Sequence, residues 1–359
     1  MSERLVRQFM EMVRIDSESG NEARFLEYLL GEVDALGGDG ALDAYGNLIA
    51  SFPAKGSAAR DPILLSCHGD TVKPGVGIEP ILADGIIRSG GDTILGADDK
   101  AGIAEVLETL RTAPVRPPVE LAVSRQEEVG LLGVKAMDFS RITARRGFLM
   151  DNDTLDTVVI GGPTYIAIDV SVAGRSAHAG MEPEKGINAI RAAASAIAAL
   201  RLGRLDGETT ANVGVITGGV IRNGVPASCS FLAECRSGDH DKAVALAEEM
   251  ARIVRDHVEA TGAKAEIVVD EKCRAVRIPE DAWTVRVTRQ ALATVGIEAK
   301  AVNITGFTDA SIYNNRGIEM AVVGIGAQNE HSTEECIAVS DMEKAVAVLT
   351  EILRLAAAG

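Results

Sequence analysis

Pro62-Ile63-Leu64-Leu65-Ser66-Cys67 is a short apolar run that ends in His68-Gly69-Asp70. It follows a loop rich in Gly, Ser, Ala and Arg, so it reads as a buried strand with a metal-ligand side chain at its end. On an extended backbone, side chains two apart point the same way, and His68 and Asp70 therefore face one site. Cys67 faces the other side, which argues against a Cys-His nucleophile pair.

The same arrangement recurs outward from this strand. Residues 100–110 carry Ile103, Val106, Leu107 and Leu110 at helical spacing, with Asp98 just before the helix begins. Residues 118–123 are again strand-like and lead to Glu127-Glu128, and residues 147–150 run into Asp151. Acidic groups on the loops after successive strands belong at the carboxyl edge of an open α/β sheet. A fifth candidate, Glu330-His331-Ser332, lies far downstream. Taken singly, these fragments read as a loop histidine, a helix cap and a solvated acidic pair. Jointly, in this order, they specify a metal site. Asp70, Asp98, Glu127, Glu128 and Asp151 in one cleft repel one another unless cations intervene, and two divalent ions supply the missing charge. Imidazole plus carboxylate donors suit zinc first, with cobalt or manganese as replacements.

Composition narrows the partners. With 359 residues, 47% of them hydrophobic, the chain can bury a large core and exceeds the usual size of one domain. A net charge of −16 argues against nucleic acid or an anionic membrane as partner. Cysteines 67, 229, 235, 273 and 336 are odd in number and form no Cys-x-x-Cys pair, so they read as reduced core thiols. The opening Met1-Ser2-Glu3-Arg4-Leu5-Val6-Arg7 has no signal-like apolar region, and no run reaches membrane-spanning length. The expected location is the cytoplasm. Gly161-Gly162 and Gly218-Gly219 lack a dinucleotide fingerprint. Ser19-Gly20-Asn21-Glu22 has capping-box spacing before a helix holding Phe25, Leu26, Leu29 and Leu30. Thr308 or Asp309 is placed to cap a helix starting near Ala310.

Between Asp151 and His331 the period changes. From residue 164 to 270 it reads strand, helix (187–200), strand (212–217), strand (226–235), helix (244–258) and strand (265–269). That β-α-β-β-α-β order is a ferredoxin-like α+β unit. The expected division is therefore a discontinuous catalytic domain, 1–163 and 275–359, interrupted by an inserted domain, 164–274. The resumed part should hold a helix over 283–293, a strand near 299–304, a helix at 310–315, a strand at 319–324 and a last helix from 341.

These motifs give the chain a resemblance to the M20 metallopeptidases, specifically the peptidase T and peptidase-T-like members. It is carried by Ser66-Cys67-His68-Gly69-Asp70-Thr71-Val72, Leu95-Gly96-Ala97-Asp98-Asp99-Lys100-Ala101-Gly102, Glu127-Glu128-Val129-Gly130 and Gly174-Arg175-Ser176-Ala177-His178-Ala179-Gly180. The resemblance implies a zinc-peptidase-like catalytic domain, a mixed sheet flanked by helices, with the insertion as lid and dimerisation domain. It also implies that Asp98 bridges two metals, with His68 and Asp151 completing one and Glu128 and His331 the other. Glu127 is then the general base acting on a metal-bridging hydroxide, and Asp70 orients His68. A cis peptide between Asp98 and Asp99 is implied too, rare for a non-proline bond. In the lid, His178 matches a histidine that stabilises the oxyanion across a homodimer, while Arg236, Asn212 and Gly306 match substrate-contacting positions. Hydrolysis of short peptides, aminopeptidase- or tripeptidase-like, is the implied activity. An N-acyl or carbamoyl amino acid amidohydrolase uses the same chemistry and stays open as the alternative, and a non-catalytic binding module is a third reading.

Overall fold

The computed structural model describes residues 2–59 and 61–358, and they fall into two compact units. The first comprises Met1–Ile160, Arg277–Asn303 and Thr308–Gly359. At its centre is a mixed sheet in which Val119–Ser124, Ile63–His68, Arg146–Asn152 and Glu319–Gly324 run parallel in that spatial order. Leu48–Phe52 flanks them antiparallel on one side and Thr157–Gly162 on the other. Parallel strands with both faces covered read as unbroken apolar runs, and every residue of Ile63–His68 and of Val119–Ser124 is buried. The cover includes helices Ser2–Val13, Ala97–Thr112, Trp283–Thr294 and Val339–Ala358. A small second sheet, Ala327–Gln328, Cys336–Ala338, Ile86–Ser89 and Pro80–Ala83, has strands too short for periodicity to announce.

The second unit comprises Gly161–Val276 and Ile304–Phe307. Its strands Thr209–Gly218, Ser228–Ser237, Thr164–Ala173 and Lys264–Cys273 lie side by side, all antiparallel. In chain order this is second, third, first, fourth, the ferredoxin-like arrangement. Strict alternation along Thr164–Ala173 sends Ile166, Ile168, Val170 and Val172 inward. There they pack against Ala189–Ala199 and His240–Glu259.

One local expectation fails and another is met by only one of its two candidates. Ser19 and Glu22 do not form a capping box: the Ser19 hydroxyl donates to Asp70 (2.7 Å), and the Glu22 carboxylate pairs with Arg125 (2.7 Å). A buried carboxylate and an arginine are stronger partners than a helix's own amides. Of the two caps expected for Ala310–Asn315, Asp309 does not serve, because its carboxylate accepts from the Ser124 hydroxyl, while the Thr308 hydroxyl accepts the Ala310 N–H at 3.3 Å.

Candidate metal centre

Because Ile63–His68, Val119–Ser124 and Arg146–Asn152 are parallel neighbours, their carboxyl ends share one edge of the sheet, with His68 beside Ser124 in register. His68 ends the first strand, Glu127 and Glu128 follow the second, and Asp151 lies at the end of the third. Asp98 comes from the turn opening Ala97–Thr112, where the Asp98–Asp99 peptide is cis. His331 comes from the turn between Ala327–Gln328 and Cys336–Ala338, with φ of 56° at Asn329 and 60° at His331.

These side chains converge. Asp98 divides its oxygens: Oδ1 is 2.9 Å from His68 Nε2 and Oδ2 is 3.1 Å from His331 Nε2. His331 Nε2 is also 3.1 Å from Glu128 Oε1, and His68 Nε2 is 3.6 Å from Asp151 Oδ1. Donor atoms of His68, Asp98 and Glu128 all lie within 4.8 Å of one another, as do those of His68, Asp99 and Asp151. Asp99 thus stands nearer the centre than its sequence neighbourhood suggests, while its Oδ2 accepts the His68 backbone N–H at 3.0 Å.

Asp70 has more work than orienting one ring. Its backbone carbonyl lies 2.9 Å from His68 Nδ1, whereas its Oδ1 is 3.5 Å away. The carboxylate instead accepts the backbone N–H groups of Glu127 (2.9 Å) and Glu128 (3.3 Å). One residue fixes a ring on one strand and the acidic pair after the next.

Electrostatics show a site short of positive charge. Burial pushes Glu127 well above the ordinary carboxylate range, and the nearby Asp151 adds to it. Burial also raises Asp151 to about 6 and Asp309 to about 7. For His68 burial opposes the charge, but Asp98, Asp151 and Asp70 outweigh it and hold its pKa well above normal. Hydrogen bonds to Asp98 and Glu128 lift His331 to about 11. Asp98 pairs with both His68 and His331, Asp151 with His68, and Glu128 with His331. Asp99 Oδ1 and Asp309 Oδ1 are buried without a partner. Carboxylates and imidazoles with unspent acceptor atoms and unbalanced charge fit divalent cations.

Two buried acids were not assigned to the site in the sequence. Glu335 accepts three backbone N–H groups from residues 95–98. Asp309 reaches Ser124. Neither stands at a strand end in a ligand-like motif, and their partners lie far away along the chain.

The lid candidates are placed within their own unit. His178 pairs with Gly224 through a two-residue strand and is exposed; its Nδ1 accepts from the Gly180 and Met181 backbone N–H groups, which leaves the proton on Nε2. Asn212 is exposed beside Glu234. Arg236 is already engaged: Nε and Nη2 bond Glu234 (3.2 and 3.0 Å), Nη1 bonds the Thr305 carbonyl, and the guanidinium lies 4.6 Å from the Tyr165 ring centre. At Gly306 an added Cβ would meet only Ile304 at 3.8 Å, so packing does not require glycine there.

Comparison with known proteins agrees with this picture. Residues 163–262 match a model described as a peptidase dimerisation domain, and residues 47–158 match peptidase family M28. An uncharacterised Bacillus subtilis protein, YqjE, is 33% identical over 99% of this chain and 98% of its own length. The crystal structure of aminopeptidase PepT from Bacillus cereus superposes with a TM-score of 0.90 at 35% identity, covering 100% of this chain and 99% of that one. The chain belongs to the M20 peptidases, in their peptidase-T-like branch. A tripeptidase from Staphylococcus aureus, TM-score 0.94 at 32% identity with 100% and 99% of the two chains covered, falls in with this. As an M20 peptidase the chain is a hydrolase acting on peptide bonds.

Proposed function

We propose that this M20 chain is a two-metal peptidase of short peptides with free amino termini, working as a homodimer in the cytoplasm. The observation that carries it is the split Asp98 carboxylate, one oxygen toward each histidine. That is the arrangement expected of a bridging ligand. His68 and Asp151 would hold one ion, Glu128 and His331 the other, and Asp98 both, with zinc the first choice and cobalt or manganese able to serve. When bound, such a pair supplies Lewis acidity, polarising the scissile carbonyl and bringing water to ionise near neutrality.

The chain's own groups do the rest. Glu127, buried beside the proposed ligands, takes the proton of the attacking water and returns it to the leaving amine. Asp70 keeps the Glu127 backbone in place for both transfers. His178, with its proton on Nε2, donates to the oxyanion of the tetrahedral intermediate from the partner subunit's lid. Arg236, Asn212 and the Gly306 loop would line the peptide's far side; for Arg236 this requires sharing its guanidinium with Glu234. The dimerisation-domain match supports the homodimer. Free cysteines support a reducing compartment, and among the described residues no helix is long and apolar enough to cross a membrane.

The test is to load the full chain with Zn, Co or Mn and compare tripeptides with free amino termini, dipeptides and N-acetyl amino acids. Cleavage of the tripeptides is expected. Turnover confined to acylated amino acids overturns the peptide assignment, and metal content well below two ions per chain overturns the two-metal one.

A further inference from the structure

We propose that Glu335 is a positioning residue that locks the turn bearing His331 to the turn bearing Asp98, an inference that rests on the two-metal reading above. Glu335 is 1% exposed. Its Oε2 accepts the backbone N–H groups of Leu95 and Gly96, both at 2.8 Å, and its Oε1 accepts that of Asp98 at 3.0 Å. Its own N–H donates to the Ser332 carbonyl at 3.2 Å, inside the turn that carries His331. One carboxylate therefore joins two chain segments 237 residues apart, each of which presents a proposed ligand.

The geometry goes beyond ordinary loop packing. Asp98 can offer one oxygen to each histidine only if its backbone is fixed, and Glu335 holds the N–H of Asp98 itself. Backbone amides are its hydrogen-bond donors. They belong to the turn ahead of the regular helix, where Asp98 and Asp99 have non-helical backbone and a buried N–H needs an acceptor from elsewhere in the chain. A glutamine cannot substitute: it has one acceptor oxygen, and its NH2 would confront an N–H that needs an acceptor.

A natural control exists elsewhere in the fold. Glu120, 7% exposed, also accepts from three donors, the Thr143 N–H and hydroxyl and the Ala144 N–H, but it does so near the amino ends of Val119–Ser124 and Arg146–Asn152, opposite the sheet edge that carries the proposed ligands. Glu335→Gln and Glu120→Gln should therefore damage folding similarly and metal binding differently. The experiment titrates the full metal-free chain with Co2+ and Zn2+ by calorimetry and by the visible Co2+ spectrum, beside thermal melts of the metal-free proteins. Glu335→Gln is expected to weaken binding roughly 10- to 100-fold and alter the Co2+ bands, while Glu120→Gln leaves both unchanged. Wild-type affinity in Glu335→Gln, or an equal loss in Glu120→Gln, overturns the proposal.

Amide exchange in the wild-type chain tests it without any variant that must fold. The Leu95, Gly96 and Asp98 amides should be protected even without metal, because Glu335 holds them beforehand. Exchange as fast as an open loop refutes that holding. A wild-type chain that takes up neither Co2+ nor Zn2+ ends the two-metal reading instead, and the amide measurement still decides whether Glu335 holds the turn.

Discussion

The two histidines of the centre occupy opposite surroundings. The His68 side chain is 2% exposed and ends a strand in the middle of the sheet, whereas that of His331 is 54% exposed and sits on a turn in left-handed backbone. One is placed by the core, the other by a turn that Glu335 ties down. The difference teaches that a ligand set can be half scaffold and half closure, with removal of each half carrying a different cost.

The largest effect is expected between the halves. Glu127→Ala should cut kcat by about 100- to 10,000-fold while metal content stays near wild type; near-normal turnover removes Glu127 from its role. The histidines come next. His68→Ala empties buried volume and strands Asp98 and Asp151, so the metal-free chain should melt lower by on the order of 5 °C. His331→Ala should leave the melting temperature nearly unchanged yet weaken metal binding about 10-fold or more. Equal melting shifts break the comparison.

A smaller effect separates the halves by pH. Burial raises Asp309 from 3.8 to about 7. Between those values the folded chain holds a proton that the unfolded chain has released, so this group's contribution to stability falls as pH rises from about 4 to 7. Melting of the metal-free protein across that range should show a decline of a few degrees that Asp309→Asn flattens. An unaltered slope in the variant assigns the decline to other groups. Smallest in amplitude is partial recovery of activity when inactive Glu127→Ala and inactive His178→Ala chains are mixed, which pairs an intact base with an intact lid histidine across subunits. Heterodimers without recovery refute the crossing.

Much of this was legible beforehand, for identifiable reasons. Apolar runs ending in His68 and Asp151 announced the parallel strands, and alternation at Ile166, Ile168, Val170 and Val172 announced the lid sheet, because burial on two faces and on one leave different periods. The meeting of His68, Glu128 and Asp151 followed from strand ends sharing an edge, whereas Asp98 and His331 entered the ligand set through the family resemblance. Glu335 and the carboxylate contacts of Asp70 were not legible, since their partners are backbone N–H groups that every residue carries. Ser19 and Asp309 misled because local capping patterns cannot show a buried partner 51 or 185 residues away.

The separation of 233 positions between Asp98 and His331 has a consequence for synthesis. On the ribosome, His68, Asp98, Glu128 and Asp151 emerge before the whole lid, and His331 only after it. Until then a nascent chain offers an unfinished cluster of acids in which Glu335 has not yet fastened the Asp98 turn. In the proposed two-metal reading, the ligand set is complete only once the sequence on both sides of the lid has been made.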